Sequence, residues 1–104
     1  MIKANYIYEK GHIKEIEVSG HAEYDNSGRD IVCAAVSTAI IVTANAVELL
    51  NLNSYSELWI EEGYFKFIVK NSEDTLNKLL LNLEYTLSDL EKQYPKYIKN
   101  QKEG

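Results

Sequence analysis

The chain is short of the residues that staple, kink or loosen a fold, and each shortage excludes something. It has one cysteine among 104 residues, so no disulfide can form within it. A lone Cys33 has no CxxC partner, which removes thioredoxin-type redox chemistry. Two histidines beside one cysteine make a poor zinc site, so neither metal nor cofactor is expected. The single proline is Pro95, and no Pro/Ser-rich linker divides the sequence, which reads as one domain over residues 1–104. Basic residues are scarce, 11 against 16 acidic, for a net charge of −5. Phosphate backbones need a basic footprint, so direct nucleic-acid binding is not expected. Long hydrophobic runs are also missing. The longest apolar-leaning stretch, residues 34–50, is interrupted by Ser37, Thr38, Thr43, Asn45 and Glu48 and reads as too short and too polar for a membrane span. The N-terminal MIKANYIYEK has no apolar segment of signal type, so the cytoplasm is the expected location and no membrane partner is expected.

What is present follows one order of elements twice, without sequence identity between the halves that would make a repeat. Residues 2–9 alternate, with Ile2, Ala4, Tyr6 and Tyr8 on one side, as a strand does. Lys10-Gly11-His12 is a turn, and residues 13–18 (IKEIEV) are a second strand. Residues 19–29 hold Gly20, Gly28 and the turn-rich Asp25-Asn26-Ser27-Gly28, and read as a loop. Asp30 is a suitable N-cap for a helix running to about residue 50, apolar almost all round and so expected to be buried on more than one side. Residues 54–61 and 64–70 form a second hairpin about Glu62-Gly63. A second helix carries one stripe through Leu76, Leu79, Leu80, Leu83, Leu87, Leu90 and Tyr94, capped by Asn71 or Ser72 and stopped by Pro95. The tail, KNQKEG, is expected to fray. The order ββαββα predicts an α+β two-layer domain, a four-stranded sheet with two helices packed on it.

The chemistry concentrates in GHAEYDNSGRDIVCAAVS, residues 20–37. With Asp30 as the cap, Cys33 falls in the first helical turn, where unpaired N–H groups and the positive end of the macrodipole favour a thiolate. His21 is the candidate base, one loop away. A thiol beside an imidazole is the minimal nucleophile–base pair, and the free N–H groups of a helix start could hold an oxyanion. Ser37 lies one turn beyond Cys33 on the same face. The residue six after Cys33 is Ala39, not arginine, so the phosphate-cradling loop of the cysteine phosphatases is absent. The bland alternative is a cysteine that fills space, since free cysteine is among the most buried residue types.

Gly20-His21-Ala22, Gly28 and Asp30-Ile31-Val32-Cys33-Ala34-Ala35-Val36-Ser37 together resemble the signature of the bacterial ribosomal-processing cysteine proteases, the Prp family. The resemblance implies a thiol protease with Cys33 as nucleophile and His21 as base, and places Gly20, Asp30 and Ser37 in supporting or substrate-binding positions. It implies a homodimer, a mobile segment between His21 and Cys33 that acts as a lid, and a ribosomal protein as substrate: the N-terminal extension of large-subunit protein twenty-seven, removed in support of ribosome assembly. A basic ribosomal-protein tail would suit an acidic enzyme, with Glu23 and Asp25 as contacts. Two other classes remain open on the residues alone: a non-enzymatic ribosome-associated peptide-binding factor with a structural cysteine, and a redox-sensing thiol protein.

Overall fold

The computed structural model describes residues 1–20 and 27–104. Strands β1 (Ile2–Glu9) and β2 (His12–Ser19) form the first hairpin. Lys10 and Gly11 both have positive φ, 53° and 82°, the handedness that a two-residue turn needs to match the twist of its strands. Helix α1 (Ser27–Leu49) follows, then a single 3-10 turn (Asn53–Tyr55) and the second hairpin, β3 (Ser56–Glu61) with β4 (Tyr64–Val69). Helix α2 (Asp74–Gln93) and a last strand, β5 (Ile98–Glu103), complete the chain.

The sheet has five strands in the order β3-β4-β2-β1-β5, one more than expected. The fifth is the tail that was expected to fray. It runs parallel to β1, with Ile2 opposite Ile98 and Ala4 opposite Asn100. IKNQKE has one fully buried apolar residue, Ile98, so it carries no alternation to read. Polar groups hold it instead. The Tyr6 hydroxyl donates to Asn100 Oδ1 at 2.6 Å, and Asn100 Nδ2 donates to Leu87 O at 3.0 Å and to Glu91 Oε1 at 2.9 Å. The Asn100 N–H also reaches Glu91 Oε1, at 2.7 Å. Alongside, the buried Glu84 takes the Tyr8 hydroxyl and the Lys102 ammonium, the latter at 2.8 Å.

One face of the sheet packs on the helices. In register across β1, β2 and β4 run two rows, Ala4–Val18–Phe65 and Tyr6–Ile16–Phe67, all buried. Against them α2 lays Leu76, Leu80, Leu83 and Leu87, each essentially inaccessible. Its N-cap is Glu73 rather than Asn71 or Ser72; the Glu73 carboxylate accepts from the Leu76 N–H at 2.7 Å, and Ser72 is engaged by Asn77 Nδ2. The helix stops at Gln93, and Tyr94, ahead of Pro95, turns out of helical geometry as residues before proline do.

Helix α1 departs from expectation at two points. It begins at Ser27, so Asp30 is not its cap. Asp, Asn, Ser and Gly all favour helix starts, and four in a row leave the boundary ambiguous from sequence. Its burial is also one-sided. Val32, Val36, Ile40, Thr43 and Val47 form the core stripe, while Ile31, Ile41, Val42 and Leu49 are exposed, Leu49 at 81%. By length and composition the segment Ile31–Leu49 is apolar enough to cross a membrane, contrary to the expectation drawn from its polar interruptions. The same segment supplies the core stripe of this domain, which is the ordinary use of such a helix.

Candidate active site

Cys33 sits on α1 between the core and solvent. It is half-buried, free, and packed against the edge of the hydrophobic core. Being the seventh residue of the helix, it lies almost two turns from the start. The correction matters, because only the first four N–H groups of a helix lack an intrahelical acceptor. The unpaired N–H groups expected around the thiol are therefore upstream of it.

The thiol lines an open cleft of about 330 Å³. One wall is α1, where Cys33, Ser37 and Ile41 follow one another at four-residue spacing. The floor is apolar, from Ile2, Val18, Val36 and Phe65. The far wall is the β3–β4 turn, with Ile60, Glu61, Glu62, Gly63 and Tyr64. Sequence reasoning missed this wall. The turn approaches α1 only because β2 pairs with β4, Ser19 opposite Tyr64, a non-sequential pairing that no local pattern announces.

Gly20 anchors the cleft's third corner. Its φ of +135° is one that side chains rarely adopt, and a Cβ there would stand 2.5 Å from Met1 O and 2.9 Å from Ile2 Cα. Its N–H donates to Gly63 O at 3.0 Å. The residue before His21 is thus pinned between the start of β1 and the β3–β4 turn. Tyr64 is fixed in turn by donating to Glu17 Oε2 at 2.6 Å. That bond, with a smaller part from desolvation, pushes the phenol up to about 12, so it remains a neutral donor.

The structure therefore brings Gly20, Cys33 and Ser37 to one cleft. His21, Glu23 and Asp25, and with them the proposed lid, lie outside the described residues, as does the side chain of Asp30. Among the described residues no group of three His, Cys, Asp or Glu side chains is placed to hold a metal ion.

A small α+β domain that opens a half-buried thiol into an apolar-floored cleft, with Gly20 pinned at its corner, has the layout of a thiol-dependent enzyme. The chain belongs to the cysteine protease Prp family, whose model matches residues 1–99. It is 34% identical over 68 residues to the ribosomal processing cysteine protease Prp of Bacillus subtilis (strain 168). That match takes in 64% of this chain and 60% of the length of the Bacillus protein. Among solved structures it is similar to SMU.848 from Streptococcus mutans, at 29% identity and a TM-score of 0.84, covering 99% of this chain and 94% of the other. It shares its fold with the essential ribosomal processing protease Prp from S. aureus, crystallised with a substrate peptide. There the TM-score is 0.86 at 22% identity, with 99% and 100% of the two chains covered.

Proposed function

We propose that this protein is a cysteine endopeptidase in which Cys33 is the nucleophile and His21 the general base. The observation that carries this reading is the position of Cys33: half-buried on the wall of an open cleft, one helical turn from Ser37 and across from the anchored Gly20. Membership of the Prp family supports it. His21 takes the thiol proton, and the sulfur attacks the scissile carbonyl carbon. The C–N bond then breaks as the imidazolium returns the proton to the departing amine. Water, deprotonated by His21, hydrolyses the thioester, releasing the new carboxyl terminus and the free thiol. In this reading Ser37, one turn beyond Cys33 in the cleft, hydrogen-bonds the substrate, and Asp30 keeps the supporting role that the family resemblance implies.

The substrate we infer is the N-terminal extension of large-subunit ribosomal protein twenty-seven, cleaved in the cytoplasm during ribosome assembly. The name of the Bacillus relative, a ribosomal processing protease, supports a ribosomal protein as the target. We further infer a homodimer. The outward face of α1 exposes Ile31, Val42 and Leu49, with Thr38 and Asn45 between them, and a second copy would cover these apolar side chains.

The contact of Cys33 with the core favours a second reading, a packing cysteine in a peptide-binding factor. One experiment decides between them. The enzyme predicts an acyl-enzyme on Cys33 in mass spectrometry on mixing with a peptide spanning the host's own extension. A thiol inert in the native protein, with no cleavage, overturns the enzymatic reading. A thiol that is oxidised by peroxide yet forms no acyl-enzyme identifies a redox sensor instead.

A further inference from the structure

The helices pack on one face of the sheet, and among the described residues nothing covers the other. Side chains alternate along a strand, so the register assigns each residue to its face. On β3, Leu58 and Ile60 stand opposite the buried Phe67 and Phe65, so Glu57, Trp59 and Glu61 project onto the open face. Beside them on β4 are Lys66, opposite Trp59, and Tyr64, opposite Glu61. On β2, Glu15 and Glu17 continue the face, Glu17 opposite Lys66. This part of the sheet therefore shows four glutamates against one lysine.

The inner part of the face is internally satisfied, and the β3 row is not. Tyr64 donates to Glu17, and the Lys66 ammonium turns to Glu15 Oε1, at 3.8 Å. Among the described residues no cation pairs with Glu57 or Glu61, and none lies over the ring of Trp59. Trp59 is the only tryptophan of the chain and is 55% exposed. An indole in water, with a carboxylate two residues to either side, forgoes both the burial and the cation contact such a ring can make. The three side chains stand in a line, separated by two strand residues each, about 6.6 Å at about 3.3 Å per residue. An extended chain with a cation at every second residue has the same spacing.

We propose that the open face of the sheet at β3 is a docking surface, separate from the thiol cleft, for a lysine- and arginine-rich segment in the body of the protein being processed, one cation seated on Trp59 and its neighbours on Glu57 and Glu61. The proposal rests on the ribosomal-protein reading above. A protein that lies against ribosomal RNA carries a basic footprint, and an extension removed from the N-terminus leaves that basic body on the far side of the cut. Charge selects the occupant. A second copy pairing through this face about a two-fold axis would set these glutamates against their own counterparts, and a nucleic acid would meet them with phosphates. The β3–β4 turn, residues 61–64, lines the Cys33 cleft and also ends the open face, so a chain leaving the cleft over the turn arrives at Glu61.

The lone tryptophan reads the face directly. A peptide of alternating lysine and glycine, with no cleavage sequence, is titrated into the protein at low salt. Trp59 emission is expected to change saturably, with the change lost at high salt and in Glu57→Lys, and absent with the matching glutamate–glycine peptide. Kinetics then compare the whole ribosomal-protein precursor with a short peptide spanning only the cut. Trp59→Ala and Glu57→Lys are each expected to raise KM for the precursor about fivefold, leaving kcat and the short peptide's kcat/KM unchanged. Trp59→Tyr, which keeps a ring, should stay close to the wild type. Glu57→Lys, at an exposed position, carries the test should Trp59→Ala fail to fold. No emission change with the lysine peptide, or equal effects of the variants on both substrates, or none on either, overturns the proposal. So does conversion of a dimer to a monomer by Trp59→Ala, read by light scattering, with the precursor KM intact, because the face then belongs to a second copy. A wild-type protein that cleaves neither substrate overturns the endopeptidase reading instead, and Glu57-dependent saturation by the lysine peptide then still upholds the face as a dock for basic chains.

Discussion

Helices α1 and α2 are similar in length, 23 and 20 residues, and share one core, but they use their sequences in opposite ways. α2 buries its leucine stripe and gives solvent mostly polar residues, and a hydrogen-bonded cluster of Tyr6, Tyr8, Glu84, Glu91, Asn100 and Lys102 ties the sheet beside it. α1 also buries one stripe, yet it exposes Ile31, Ile41, Val42 and Leu49 among the polar residues of its open faces, and the strand beyond it is left half-covered. Stability alone asks for no such excess. Surplus apolar surface beside the only thiol of the chain is what an interaction site requires, so the α2 end reads as scaffold and the α1 end as working surface. The contrast can be broken at either end.

The largest expected effect is at the α1 end. Cys33→Ala should abolish peptide cleavage, a loss of about four orders of magnitude or more. It should leave the thermal unfolding midpoint nearly unchanged, because a half-buried sulfur on a cleft wall contributes little packing. Cys33→Ser should retain little activity. Cleavage surviving in Cys33→Ala would remove the distinction between the two ends.

The reverse test is a pair of leucines. Leu87→Ala empties a fully buried site on α2 and should cost about 2–5 kcal/mol in urea unfolding. Leu49→Ala, on the open face of α1, should change monomer stability by about 0.5 kcal/mol or less, while weakening any dimer in a concentration-dependent way. Equal costs would mean that the open face of α1 contributes to the core as much as the stripe of α2 does.

Gly20→Ala tests the junction between the two ends. The φ of +135° and the 2.5 Å approach to Met1 O predict a cost of about 1–3 kcal/mol. If the glycine sets the course of the chain into His21, kcat/KM should fall by more than the folded fraction does. A fall matching the loss of folded protein would make Gly20 a purely structural residue.

How much of this was legible from sequence follows the kind of force involved. The single stripe of α2 and the alternation of β1 were readable because burial repeats along one element. The Cys33–Ser37 pair was readable because one helical turn is local in sequence, whereas Gly20 entered with the family motif. β5 was not, since an edge strand held by Asn100 and one isoleucine has no hydrophobic period. The Glu61–Tyr64 wall was not, since it reaches the site through the pairing of β2 with β4. The one-sided burial of α1 was hidden for a different reason: an apolar residue awaiting a partner and one already in the core look alike in a sequence.

The smallest effect sharpens the scaffold end. Hydrogen bonds from the Asn100 side chain, and then from its N–H, hold the Glu91 carboxyl below the ordinary carboxylate value. A carboxyl lowered in the folded state stabilises the fold above its unfolded pKa of about 4.3, and that contribution disappears as pH falls through the lower folded value. Glu91→Gln keeps an acceptor for Asn100 but removes the charge. It should therefore cost about 0.5–1 kcal/mol at pH 7, the solvent-accessible position limiting the gain. The two proteins should converge in urea midpoint on acidification below the usual carboxylate range. A difference that persists unchanged at low pH would show that Glu91 acts through shape alone, and that the charge of the cluster has no part in fastening β5.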